Sequence, residues 1–402
     1  MIAPCSTTNS VAIVHDWLIG MRGGERCLEG VLDLFPAAVI HTLFHEPGSV
    51  SPAIEARAIH ASPLSHFSIT RKRHRMLFPM FPWAMEHLDT ESADYIVSLS
   101  HCAAKAAPRR AGAVHASYCF TPARYLWDLS EEYLDPSRTQ WWQRLGGRAW
   151  FDDLREWDRA TAAGVDHFIA ISKAVAERIE RIYGRPSTVI YPPVDGDRFG
   201  IAPQKQIGDA YLIVSALVEY KGVDLALEAF AADPSRKLRI IGGGPMAARW
   251  RAMSPPNVEW LGRLEDDAVT REMARCRAFI LPCDEDFGIT PLEAMASGRP
   301  VVALGRGGAL ETVIGEGDPR PATGVFFEDQ TAESLLAAFD RLEANLDQFD
   351  PETLRERALE FDRPIFLRNL ATYLGDLGFP VTQDSTRTPS RGTMGGTVGV
   401  SR

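Results

Sequence analysis

Short runs of apolar residues recur along the chain, and each is followed by a stretch with helical periodicity. The runs are Val11 to His15, Tyr95 to Ser98, His167 to Ala170, Tyr211 to Val214, Leu238 to Ile241, Ala278 to Leu281 and Pro300 to Leu304. Runs this short and this apolar suit strands covered by helices on both faces, so the alternation predicts parallel α/β sheets. Ligands of such sheets bind beyond the carboxyl ends of the strands, which is where candidate chemistry should be sought.

The rhythm is interrupted once by a segment rich in proline, glycine and charge, Tyr191-Pro192-Pro193-Val194-Asp195-Gly196-Asp197-Arg198-Phe199. A boundary there divides the chain into a first domain, residues 1–197, and a second, residues 198–361. A chain of 402 residues exceeds the roughly 250 to 300 at which one core stops growing, so two domains with a cleft between them are expected. The apolar-periodic stretch Pro364 to Leu377 predicts a last helix, within residues 362–379, crossing back to the first domain. Residues 380–402 offer little to bury and are expected to be disordered.

Composition changes this picture little. Hydrophobic residues make up 45% and charged residues 24%, and a net charge of -10 argues against a nucleic-acid binder. The six cysteines form no C-x-x-C pair and no histidines cluster at zinc-ligand spacing, so neither a disulfide framework nor a metal is expected. No apolar stretch reaches the roughly 18 residues needed to span a bilayer, and Met1 to Ser10 lack a signal-peptide pattern, so a cytoplasmic location is expected.

The most informative stretch is Asp284-Glu285-Asp286-Phe287-Gly288-Ile289-Thr290-Pro291-Leu292-Glu293, followed by Ala294 to Val302, which reads as strand end, loop, helix and next strand. Glu285 precedes a glycine turn and Glu293 falls in the first turn of a helix opening at Thr290, so both carboxylates can face one cleft and accept hydrogen bonds from sugar hydroxyls. The amides around Gly288, at the positive end of that helix, suit a phosphate. Thr290-Pro291-Leu292-Glu293 is also a capping box, which gives Glu293 a structural role as the alternative.

This stretch resembles the E-x7-E signature of glycosyltransferase family 4, retaining enzymes with the GT-B fold of two Rossmann-like, doubly wound domains facing a central cleft. The similarity extends through His15-Asp16-Trp17-Leu18, Gly20-Met21-Arg22-Gly23-Gly24-Glu25, Thr121-Pro122-Ala123-Arg124-Tyr125 and Tyr191-Pro192-Pro193-Val194-Asp195. Bacterial members using GDP-mannose in polysaccharide assembly are the most similar. The resemblance implies Glu285 beside the transferred sugar, the Phe287, Gly288, Ile289 and Thr290 backbone beside sugar and phosphate, Glu293 on the ribose, and Lys221 on the diphosphate. It implies a nucleotide-sugar donor, a glycan or polyprenyl-linked acceptor, and no metal cofactor.

Two positions depart from the family pattern. Ala216 stands where an arginine is usual, leaving Lys221 and backbone amides, or another arginine such as Arg198, Arg263 or Arg306, to meet the phosphates. Phe120 stands where many relatives carry a histidine, and His101, at the end of a neighbouring strand, is the candidate to supply that polarity. Gly23 and Gly24 open a helix after the first strand and allow close approach to a phosphate, although neither the dinucleotide nor the P-loop pattern is met. Arg71, Lys72, Arg73 and Arg75, followed by an aromatic run containing Trp83, suit either an anionic membrane surface or a solvated turn leading into the core. A transferase is the expected activity. The alternatives are an epimerase or phosphorylase of the same fold, or a nucleotide-sugar-binding protein without turnover.

Overall fold

The computed structural model describes residues 9–66, 71, 74–128 and 141–382. They form two parallel sheets. The first contains β1 (Val11–Leu18), β2 (Val39–His45), β3 (Ile59–Ala61), β4 (Tyr95–Ser100), β5 (Val114–Cys119), β6 (His167–Ala170) and β7 (Ser187–Val189), in the order β3-β2-β1-β4-β5-β6-β7. The second contains β8 (Ala210–Val214), β9 (Lys237–Ile241), β10 (Val258–Gly262), β11 (Phe279–Leu281), β12 (Val301–Leu304) and β13 (Gly324–Phe327), in the order β10-β9-β8-β11-β12-β13. Each order reverses once, between β1 and β4 and between β8 and β11, so each sheet is doubly wound and opens a crevice at that switch point.

All seven apolar runs of the sequence are strands. Six strands were not anticipated: β3 and β7 are three-residue strands at the edges of the first sheet, β10 and β13 are the edges of the second, β2 carries buried His41 and Thr42 among its apolar residues, and β5 is the sixth. β5 is central but alternates apolar residues with buried His115 and Ser117. The His115 ring meets Ser98 Oγ on β4 at 2.8 Å, which satisfies a polar group that the hydropathy pattern reads as solvent-facing.

The last helix, Arg363–Asp376, lies against the first-lobe helix Gly23–Leu34. Gly30 permits this contact, because a Cβ there would come within 2.8 Å of the Phe366 ring. Phe366 also meets Tyr118 edge-on, and Phe379 packs on Phe35 and Tyr95. A single apolar cluster consequently runs from both sheets into the last helix.

The first lobe also buries an ion pair. Lys105 donates to Asp158 at 2.7 Å and to Thr161 Oγ at 3.1 Å, with both charged side chains almost wholly out of solvent. The second Asp158 oxygen accepts from Trp127 Nε1 and the Tyr183 hydroxyl. Three groups from different parts of the lobe thus share one carboxylate. Removing a single partner of such a pair typically costs about 3–5 kcal/mol, because the other charge is left uncompensated. Asp158→Ala should lower unfolding stability by that order in urea titrations, and Lys105→Met combined with Asp158→Leu should recover part of the loss.

The expected tail falls almost entirely outside the described residues, as do Lys72 and Arg73. Arg71 turns back to Glu46 and donates to the Ser65 carbonyl rather than standing free, while Met80 and Trp83 are 43% and 42% exposed. No helix among the described residues is long and apolar enough to cross a membrane.

Candidate functional site

The carboxyl ends of the two sheets face each other across a cleft of about 410 Å³. The first lobe contributes His15, Trp17, Gly23, Gly24, His101 and Phe120, and the second contributes Ala216, Tyr220, Lys221 and the loop Glu285 to Thr290. Every one of these stands at or just beyond the end of β1, β4, β5, β8 or β11. Nine residues singled out from the sequence therefore meet in one hollow: Gly23, Gly24 and His101 from the first lobe, and Lys221, Glu285, Phe287, Gly288, Ile289 and Thr290 from the second.

Lys221 and Glu285 form an ion pair across the floor of the second lobe. Burial disfavours the ammonium, but the Glu285 carboxylate more than offsets this, and the amine is held above its ordinary range. Lys221 is presented by a short turn that ends at Gly222, whose φ of 63° is left-handed and whose missing Cβ would sit 2.6 Å from the Pro282 carbonyl oxygen.

The helix after β11 runs from Ile289 to Ala296 and starts one residue earlier than the sequence suggests. Gly288, with φ 90°, is the N-cap, and no side chain caps the helix. Thr290 is thus inside the first turn and the capping-box role for Glu293 is corrected: no cap hydrogen bond uses either side chain. A glycine N-cap leaves the first amides open towards the cleft. The ring of Phe287 is buried against Tyr191, stacked at 5.6 Å, so Phe287 presents backbone to the cleft.

The loop after β12 supports this segment. Gly308 N donates to the Glu285 carbonyl at 2.8 Å, and a Cβ at Gly308 would lie 2.3 Å from Phe287 Cα.

Glu293 does not line the hollow. It sits a turn behind it, and burial, the largest effect, pushes its carboxyl up to about 7, only partly opposed by Arg26 and Arg198. Among the described residues no donor reaches that carboxyl. Arg198 pairs with Asp266 at 2.9 Å, Arg263 lies against Gly243, and Arg306 donates to the Glu328 carbonyl. None of these three arginines lines the hollow with Lys221.

On the first lobe, His101 Nδ1 meets Asp16 at 2.9 Å. Asp16 is completely buried and also accepts from the amides of His101, Ala103 and Ala104 at 2.6–2.7 Å. Burial works against its charged form, but His101 and these amides prevail and bring its pKa down to about 2. Asp16 therefore orients the imidazole. Phe120 stands beside His101 at 6.4 Å between ring centres and fills the position without offering a hydrogen bond.

A second hollow of about 300 Å³ adjoins the first, between Trp17, Phe78, Arg124, Tyr125 and Tyr220. Composition singled out neither Arg124 nor Asp286, yet they link the lobes: Arg124 and Arg178 of the first both pair with Asp286 of the second. Ser172 donates to the Asp286 carbonyl, and Glu311 accepts from the amides of Lys173 and Ala174 at the start of helix Lys173–Tyr183. Their signal lies in residues that are adjacent in the quoted motifs but pair only in three dimensions.

Two predictions follow from this geometry. Because the fold favours the neutral Glu293 carboxyl, its contribution to stability is complete below the ordinary value near 4.5 and is lost as pH rises through about 7. Glu293→Gln should therefore melt above the wild type near pH 8 and together with it below about pH 4. Gly308→Ala must displace the Phe287 backbone and should cost about 1–3 kcal/mol, as overpacking does, measured by thermal melts.

Comparisons with known proteins identify the family and the fold. The model described as Glycosyltransferase Family 4 matches residues 23–198, and that described as Glycosyl transferases group 1 matches residues 160–359. A GDP-mannose-dependent monoacylated alpha-(1-6)-phosphatidylinositol monomannoside mannosyltransferase of Corynebacterium glutamicum is 32% identical over 215 residues, 45% of this chain and 55% of that protein. A GDP-mannose-dependent alpha-(1-6)-phosphatidylinositol monomannoside mannosyltransferase of Mycobacterium tuberculosis is 30% identical over 39% of this chain and 48% of its own. The chain spans about half the length of these curated relatives. Among solved structures, Anabaena HepE in complex with UDP superposes with a TM-score of 0.66 at 15% identity, covering 91% of this chain and 100% of that one. WaaG, a glycosyltransferase involved in lipopolysaccharide biosynthesis, superposes with a TM-score of 0.65 at 18% identity over 90% and 99%. With two facing doubly wound lobes, the E-x7-E loop at their cleft and two family models spanning residues 23–359, the chain belongs to glycosyltransferase family 4 of the GT-B fold.

Proposed function

We propose that this protein is a retaining glycosyltransferase that moves a hexosyl group, mannosyl from GDP-mannose, onto a glycan or lipid-linked acceptor in surface polysaccharide synthesis. The observation that carries the reading is the meeting of Lys221, Glu285 and the Gly288 amides on one lobe with Gly23, Gly24 and His101 on the other, around a single hollow. The choice of mannose and GDP is supported by the GDP-mannose-dependent mannosyltransferases among the relatives.

In this reading the second lobe holds the donor. The diphosphate lies against Lys221 and the first amides of helix Ile289–Ala296, Glu285 accepts hydrogen bonds from the sugar, and the ribose, extending beyond the hollow, reaches Glu293 one turn behind it. The acceptor hydroxyl approaches from the first lobe beside His101, on the same sugar face as the departing group. The bond from the sugar's anomeric carbon to the diphosphate oxygen breaks, and its electron pair stays on that oxygen. A bond to the acceptor oxygen forms, and the acceptor's proton passes to the leaving phosphate. No protein nucleophile takes part, and the charge developing on the phosphate is met by the ammonium and fixed dipoles rather than by a metal. A lipid-linked acceptor would bring the chain to the inner face of the cytoplasmic membrane.

A ligand that binds only the folded protein raises its melting temperature. GDP-mannose should stabilise the chain more than UDP-glucose or ADP-glucose, and a larger shift with either of the others reassigns the donor. Glu285→Ala should lower transfer of labelled sugar by at least about a hundredfold, the scale of losing one stabilising group at a transition state, with the fold intact. Undiminished transfer removes Glu285 from the reaction. Release of epimerised sugar or sugar phosphate would replace the transferase reading.

A further inference from the structure

The donor lobe brings little free positive charge to the phosphates it is read to bind. Lys221 is its one ammonium at the hollow, and that ammonium is already paired with Glu285. Ala216, exposed at the end of β8, offers none. The first lobe approaches this point closely: a Cβ on Gly23 would come within 2.8 Å of Ile289 Cδ1, at the first residue of the donor-loop helix. Two helix amino-termini, Gly23–Leu34 and Ile289–Ala296, therefore converge on one place. Their positive ends repel each other unless an anion lies between them.

Arg22 stands at that junction. It is the N-cap residue of helix Gly23–Leu34, is exposed, and lines both hollows of the cleft. Its backbone N–H is taken by Glu25 at 2.9 Å, but no carboxylate among the described residues pairs with its side chain. It is the only arginine among the residues lining the main hollow. Arg124, in the adjoining hollow, is committed to Asp286 and to the face of Tyr220. A guanidinium with a fork of donors suits two phosphate oxygens better than an ammonium does.

We infer that Arg22 supplies, from the acceptor lobe, the phosphate-binding arginine that the donor lobe lacks at Ala216. The inference rests on the nucleotide-sugar reading above. Arg22 contacts the donor's diphosphate only when both lobes are engaged, so the clamp is completed by lobe closure rather than carried by the donor domain alone. Its share grows as the sugar bond breaks and charge gathers on the leaving oxygen.

The test compares wild type, Arg22→Gln and Arg22→Gln combined with Ala216→Arg, by calorimetric titration with GDP, UDP and ADP and with the corresponding nucleosides. Loss of a charge-assisted contact at an open cleft should weaken diphosphate binding by about tenfold. Nucleoside binding should be unchanged, and the added arginine should restore the diphosphate affinity. Turnover of labelled donor by Arg22→Gln should fall further than binding does. Equal diphosphate affinity in wild type and Arg22→Gln, or equal losses for nucleoside and diphosphate, overturns the inference and leaves the nucleotide-sugar reading standing. Failure of all three diphosphates to bind the wild type overturns both.

Discussion

Convergence of two positive helix ends on one point is the constraint around which the molecule is arranged. A helix amino-terminus carries about half a unit of positive charge, and bringing two together across van der Waals distance is unfavourable unless negative charge is near. The protein supplies some of it internally. Glu285 is held at the hollow by Lys221, Asp286 by two arginines of the opposite lobe, and Glu25 closes the first turn of its own helix. Each of these carboxylates is already occupied, so the remaining positive potential is directed into the cleft.

The same carboxylates tie the lobes together. Asp286 lies between Glu285 and Phe287, so its pairing with Arg124 and Arg178 fixes the loop that carries the site as well as the angle between lobes. Glu311 repeats the device by accepting from the first amides of helix Lys173–Tyr183, and Asp266 joins Arg26 to Arg198. Asp286, Arg124 and Arg178 are well shielded from solvent, where pairs are screened less than at an open surface, whereas the Glu311 contact with Lys173 is exposed. Asp266 itself is largely exposed and contributes correspondingly little.

Much of this arrangement was legible in the sequence because it rests on local patterns. Strands buried on both faces announce themselves as apolar runs, and glycines at strand ends announce turns, so β1, β4, β6, β8, β9, β11 and β12 and the loops that follow them were located correctly. Central β5 was missed because its buried positions include the polar residues His115 and Ser117, and the His115 ring finds its partner only on a neighbouring strand. The start of helix Ile289–Ala296 was misplaced because Thr290-Pro291 is a strong local signal for a helix start. The left-handed backbone of Gly288 overrides it and starts the helix at Ile289 without a side-chain cap. Asp16, Arg22 and Asp286 were visible only as members of motifs. What sets them apart is how they are partnered across elements, a property that no window along the chain contains.

The return of helix Arg363–Asp376 to the first lobe carries a consequence for how the protein is made. Tyr118, Phe35 and Tyr95, near the beginning of the chain, find their aromatic neighbours in Phe366 and Phe379, near its end. During synthesis the amino-terminal lobe must wait, with that apolar face uncovered, while the whole of the second lobe emerges from the ribosome. Contacts so distant along the chain form late and slowly. The nascent polypeptide is thus most vulnerable to aggregation in the interval before its last helix docks, and chaperone engagement in that interval would matter more to the yield of folded protein than the stability of either lobe alone.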